Sequence, residues 1–136
     1  MNDCKENTKL QNLISKLEET RKQFWNLPHE SANFINMLIK ISKAKRVLEI
    51  GTSNGYSGIW ISKALQETGG KLDTIEFYQK RIDLAVENFK KADVLDVITI
   101  HQGSALNIID EFDDNTFDFV FIDASKPEYL DYFLKL

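Results

Sequence analysis

The sequence predicts an α/β protein: a doubly wound parallel sheet, with four strands visible, preceded by two N-terminal helices. Three observations predict it. From Arg46 onward, short apolar runs alternate with helical stretches, the pattern of βαβ units. Before Arg46, apolar residues recur only at helical spacing. The 136 residues, 43% hydrophobic and 28% charged, suit one globular domain.

The elements follow in order. Leu10, Leu13, Ile14, Leu17 and Phe24 share one helical face, and Lys16, Glu18, Glu19, Arg21 and Lys22 fill the others. After Pro28 a second helical pattern sets Phe34, Met37, Leu38 and Ile41 on one face and stops before Lys43, Lys45 and Arg46. Strands are then expected at 47–50, 72–75, 97–100 and 117–122, and helices at 56–67, 79–92 and 105–109, with a last helical start near the C-terminus. Residues 1–44 thus hold the N-terminal helices and 45–136 the sheet unit of a single domain, without a repeat or a linker.

One run sits awkwardly. Phe117, Phe119, Val120, Phe121 and Ile122 read as a strand buried on both faces, yet no strand follows to pair its outer side. An exposed Phe-rich edge is one that proteins cover, so the expectation is a truncated form of a larger domain, or a partner chain over the edge.

Bulk properties narrow the function classes. A net charge of −4 and a pI near 5.2 provide no basic field for a phosphate backbone, which argues against nucleic acid. No apolar run approaches the roughly 18 residues of a membrane span, and the start MNDCKENTK lacks a signal peptide's apolar core. Cys4, the only cysteine, cannot form an internal disulfide or a cysteine zinc site, so a reducing cytoplasm is the expected setting.

The chemistry concentrates at strand ends. In VLEIGTSNGYSG (47–58) a buried strand ends at Glu49 and Ile50, turns through Gly51 and enters a helix near Tyr56 or Ser57. Gly51 permits the turn, and Gly55 is expected to let the backbone approach a ligand closely. The helix start would offer N–H groups to an anion. A dinucleotide fingerprint would need glycine where Ser53 and Tyr56 stand, and a phosphate loop would need G-K-[ST], so E-x-G-x-x-x-G is what remains.

Glu76, at the end of the next strand, can accept hydrogen bonds from both ribose hydroxyls of a nucleoside. The turn His101-Gln102-Gly103-Ser104-Ala105 adjoins the same crevice and can border an adenine ring; His101 itself reads as a strand-end residue. Asp123 ends the last strand, where a carboxylate can hold a hard divalent cation, and Lys126 lies where a lysine of lowered pKa could act as a base. Ser125 with Glu128 reads as a capping box, and Pro127 suits a first helical turn.

Taken in order, EIGTSNGYS, TIEF, QGSAL and FIDASK resemble the cation-dependent, Rossmann-like class of S-adenosylmethionine-dependent O-methyltransferases, which includes the caffeoyl-CoA and catechol enzymes. The resemblance runs from about Glu30 to Tyr129, with HESANF (29–34) a loose version of the family's P-E-x-G-x-F. It implies that Glu49, Gly51, Thr52 and Ser57 lie at the methionine end of S-adenosyl-L-methionine, with Gly55 also binding the cofactor, that Glu76 binds ribose, and that Ser104 and Ala105 flank adenine. Asp123 would border the cofactor and be the first ligand of a divalent cation, Mg²⁺ in the complete family site. Lys126 would take the proton of a hydroxyl on a small phenolic or catechol-like substrate. Ser125 departs from the D-A-D-K form of the caffeoyl-CoA branch.

The family's remaining metal ligands, an Asp–Asn pair, lie beyond Leu136, so these residues alone are expected to show weak cation-dependent transfer or none. The alternative reading is a non-catalytic S-adenosylmethionine-binding module that needs a partner or a C-terminal half. A nicotinamide-dependent oxidoreductase is disfavoured by Ser53 and Tyr56. A homodimer is compatible with either favoured reading.

Overall fold

Val47, Leu48, Glu49 and Ile50 are all buried because their strand, β1 (Arg46–Ile50), runs through the middle of the sheet. The computed structural model describes residues 2–21, 26–123 and 126–136, with backbone alone at 2–4 and 126. Phe24, Lys22 and Ser125, placed by the sequence pattern on a helix or a cap, lie outside the described residues. Cys4 and Lys126 are described without their side chains.

Helix α1 (Asn2–Glu19) and helix α2 (His29–Ser42) precede β1. Then follow α3 (Tyr56–Thr68), β2 (Lys71–Glu76), α4 (Gln79–Lys91), a 3-10 turn (Leu95–Val97), β3 (Ile98–Gln102) and α5 (Ala105–Ile109). The last elements are β4 (Phe119–Ile122), a second 3-10 turn (Lys126–Glu128) and α6 (Tyr129–Lys135). All pairings are parallel and the strand order is β3-β2-β1-β4, so the chain reverses direction across the sheet between β1 and β4. In such a sheet the switch point opens a crevice at the carboxyl ends of the strands.

Side-chain alternation divides the core. One face of the sheet sends Val47 and Leu72 against Ile39 of α2 and Ile61, Ala64 and Leu65 of α3. The other sends Leu48, Ile50 and Ile75 against Ile108, Ile109 and Tyr132. A third cluster, around Tyr56, Ala85 and Phe89, takes up Leu10, Leu13, Ile14 and Leu17 of α1, the stripe the spacing predicts. Each such side chain, fully buried, contributes roughly 1.5–3 kcal/mol.

Two expectations change. The apolar stripe of α2 faces outward: Phe34, Met37, Leu38 and Ile41 are exposed, while Ala32, Asn36 and Ile39 form the buried side. Small Ala32 permits close approach to α3, and Asn36 Nδ2 donates to the Trp60 carbonyl at 2.6 Å, so a polar residue is satisfied inside. The strand expected at 117–122 is shorter and less buried. β4 is an edge strand with Val120 exposed, and Phe117 packs instead in the preceding loop against Phe112, with the Arg46 guanidinium over its ring. Leu130, Phe133 and Leu134 of α6 are also exposed.

Candidate cofactor-binding site

The rim of the sheet is built first by backbone hydrogen bonds. Gly51 and Thr52 N–H groups both donate to the Ile75 carbonyl, at 3.0 and 3.2 Å, tying the turn after β1 to the end of β2. Gly103 N donates to the Glu76 carbonyl at 3.0 Å, and Asp123 N to that of Ile50 at 2.9 Å. Three loops are thereby gathered around one opening. Gly51, at φ +101°, takes a backbone conformation that side chains resist.

The opening encloses about 570 Å³, a volume suited to a nucleoside-sized ligand. Gly51, Glu76, Ser104, Ala105 and Asp123, all singled out in the sequence, line it. Thr52 and Gly55 belong to the turn itself, and Glu49 and Ser57 flank it from the strand and the helix. Ser57 Oγ donates to Glu49 Oε2, and Thr74 Oγ1 donates to Glu49 Oε1 at 2.8 Å. With its proton so used, Thr74 accepts from Thr52 Oγ1 at 2.6 Å.

Gly55 proves to serve packing. A Cβ there would come within 2.8 Å of Phe89 Cε1, so the ring of α4 packs directly on this glycine. The turn is held from the same side by Asn88 Nδ2, which donates to the Asn54 carbonyl at 2.8 Å.

Glu76 is already engaged. Its Oε1 accepts from Ser53 N at 2.9 Å, and its Oε2 from Phe77 N at 2.8 Å and Tyr78 N at 3.1 Å. A carboxylate has about four lone-pair sites, so roughly one remains, on Oε1. These bonds fix the carboxylate facing the cavity.

Charge gives the cavity its chemical character. Glu76, Asp123 and Glu128 line it against one guanidinium, Arg81, whose Nη1 stands 4.0 Å from Glu76 Oε1. Glu49 lies fully buried behind them. Burial foremost, with Asp123 and Glu76 adding repulsion against the hydrogen bonds of Ser57 and Thr74, pushes its carboxyl up to about 7. Burial also raises the Asp123 carboxyl above its ordinary range.

Among the described residues no group of three His, Cys, Asp or Glu side chains could hold a metal ion. The Lys126 side chain lies outside the described residues. His101 points away to a second cluster, with Nε2 2.8 Å from Asp73 Oδ1 and its ring edge-on to Phe112. Sequence reasoning missed the other wall. Tyr78 and Arg81 line the cavity just past Glu76, a proximity that was a usable signal, whereas Tyr132 arrives from α6 by tertiary folding alone.

An open parallel sheet with a glycine turn, a strand-end glutamate and a carboxylate-lined cavity at its switch point defines a Rossmann-type domain with its ligand crevice at the strand ends. The chain belongs to the O-methyltransferase family, whose sequence profile matches residues 2–136. It is 36% identical over 126 residues to caffeoyl-CoA O-methyltransferase 1 of Eucalyptus globulus, covering 88% of this chain and 51% of that protein. It is 37% identical over 103 residues to a catechol O-methyltransferase of Niastella koreensis, covering 74% of this chain and 46% of that one.

Solved structures agree. The O-methyltransferase TomG of Streptomyces achromogenes, involved in tomaymycin synthesis and solved with S-adenosylmethionine, matches with a TM-score of 0.81 at 32% identity, over 90% of this chain and 58% of TomG. An O-methyltransferase of Bacillus cereus, solved with S-adenosylhomocysteine, matches with a TM-score of 0.81 at 30% identity, over 94% of this chain and 59% of that one. The chain therefore spans about half the length of the curated relatives it matches.

Proposed function

We propose that this chain binds S-adenosyl-L-methionine in the rim cavity and forms the donor-binding half of an O-methyltransferase acting on a hydroxyl of a small phenolic or catechol-like molecule. The observation that carries the reading is three carboxylates against one guanidinium around a nucleoside-sized cavity closed by the glycine turn. A sulfonium ligand gains attraction there that a phosphate-bearing dinucleotide would lose. The cofactor, when bound, supplies an activated methyl group.

The chain's own residues bind and orient. Glu76 offers its remaining acceptor site to a ribose hydroxyl, Ser104 and Ala105 border the base, and the Gly51 backbone lets the ligand approach. Glu49, Thr52 and Ser57 hold the turn. Lys126 is the residue proposed to take the substrate proton, and positioning accounts for most of the rate enhancement in such a transfer.

A divalent cation fits less well. Asp123 would be one ligand among several, and the described residues assemble no group of three such ligands, so no step is assigned to a metal. Relatives named for caffeoyl-CoA and catechol make those two acceptors the first to test, in a reducing cytoplasm as setting and with a homodimer as the simplest assembly. Isothermal titration with S-adenosylhomocysteine, followed by radiolabelled methyl transfer to each acceptor with and without Mg²⁺, tests the proposal. Binding together with transfer, however slow, supports it. Binding without transfer under any condition supports the second reading, a non-catalytic binding module.

A further inference from the structure

Residues of α1, of the middle of α3 and of the end of α4 line a concavity of about 470 Å³, apart from the rim cavity. Lys9 reaches it from α1, Lys63 from α3, and Lys90 and Lys91 from the last turn of α4; Glu6 and Asp93 are its acidic members. None of its lining residues belongs to the rim cavity. Leu10 and Ala92 give it an apolar floor.

The pairing of these charges is incomplete. Lys91 Nζ meets Glu87 Oε1 at 3.0 Å, but among the described residues Lys9, Lys63 and Lys90 have no carboxylate within 4.0 Å. Lys40 pairs with Glu67 at 3.3 Å and Lys135 with Asp110. Lysines in the last turn of a helix offset its negative end, which accounts for Lys90 and Lys91. It does not account for Lys9 and Lys63, brought to the same place from two other elements of a chain whose net charge is −4.

We propose that this lysine-lined concavity is a second ligand site, for a small soluble molecule carrying a diphosphate or longer phosphate chain. A compact polyanion can accept charge-assisted hydrogen bonds from several ammonium groups at once, which a single phosphate does less fully. The apolar floor admits a carbon skeleton beside the phosphates. The site does not depend on the methyl-transfer reading, because it shares no residue with the rim.

Titration of the ¹⁵N-labelled 136-residue chain with sodium pyrophosphate at constant ionic strength tests this. The expected result is saturable shifts of amides around Lys9, Lys63 and Lys90, with inorganic phosphate binding at least tenfold more weakly. Lys9→Gln with Lys63→Gln should weaken pyrophosphate at least tenfold, while Lys135→Gln leaves it unchanged. Unaltered S-adenosylhomocysteine binding or an unaltered circular dichroism spectrum shows that the double variant is folded. Shifts that do not saturate, equal binding of phosphate and pyrophosphate, or a double variant that binds like the parent would overturn the proposal. Tighter capture by phosphatidylserine vesicles than by pyrophosphate would also overturn it, assigning the patch to a membrane surface.

Discussion

Thr74 Oγ1 donates to Glu49 Oε1 at 2.8 Å across two paired strands, from the position in direct register with it. Ser57 donates to the other oxygen, so a fully buried carboxylate holds β1, β2 and the start of α3 together beneath the glycine turn. Two donors do not repay its desolvation, and the carboxyl rises from 4.5 to about 7.

That rise has a defined effect on stability. Below pH 4.5 Glu49 is protonated folded or unfolded; between there and about 7 only the unfolded chain ionises, so stability is lost as pH rises through that window. The loss is on the order of 3 kcal/mol. Glu49→Gln removes it, so urea unfolding should show the variant gaining on the parent between pH 4.5 and 7.5. Parallel pH curves would contradict the assignment.

Gly55 and Gly58 both press on Phe89, but only Gly55 has a positive φ, +90°. Gly55→Ala should cost about 2–4 kcal/mol, summing strain and overpacking. Gly58→Ala should cost about 0–2 kcal/mol, because better helix propensity offsets the clash. In a Phe89→Leu background the Gly58 penalty should vanish while about 1–2 kcal/mol persists at Gly55. Chemical denaturation of the four variants measures this.

Glu76 accepts three backbone N–H groups and presents its last acceptor site to the cavity. In Glu76→Gln an amide NH₂ must face one of those donors, so both the loop and the ribose contact suffer. Affinity for S-adenosylhomocysteine should fall at least tenfold by calorimetry; an unchanged dissociation constant would remove Glu76 from the site.

Asp123 lines the cavity with a carboxylate, and the two cofactor forms differ by one positive charge at sulfur. Asp123→Asn should therefore weaken S-adenosylmethionine more than S-adenosylhomocysteine, by about threefold to tenfold, the size of one charge–charge interaction of roughly 0.7–1.4 kcal/mol. Equal losses for the two ligands would show that the charge is not felt at sulfur.

The sequence was most legible where local rules decide. Strand and helix alternation located the four strands found among the described residues, because apolar runs bounded by turns depend on near neighbours; the glycine turn, Glu76 and Asp123 follow because strand ends meet at one rim. The exposed stripe of α2 was not legible, since Ala32, Asn36 and Ile39 form an alternative face at the same helical spacing and packing on α3 chose it. The packing role of Gly55 was not legible for a like reason: glycine signals close approach without naming the neighbour, and Phe89 is one. Tyr132 joins the cavity from a helix far along the chain, which no local pattern announces.

The central claim, a methyl-donor site at the sheet rim, is tested most directly by calorimetric titration of the 136-residue chain with S-adenosylmethionine and S-adenosylhomocysteine. The account predicts saturable one-to-one binding of both, lost together in Glu76→Ala. A chain that is folded by circular dichroism yet gives no binding heat with either ligand at millimolar concentration would contradict it.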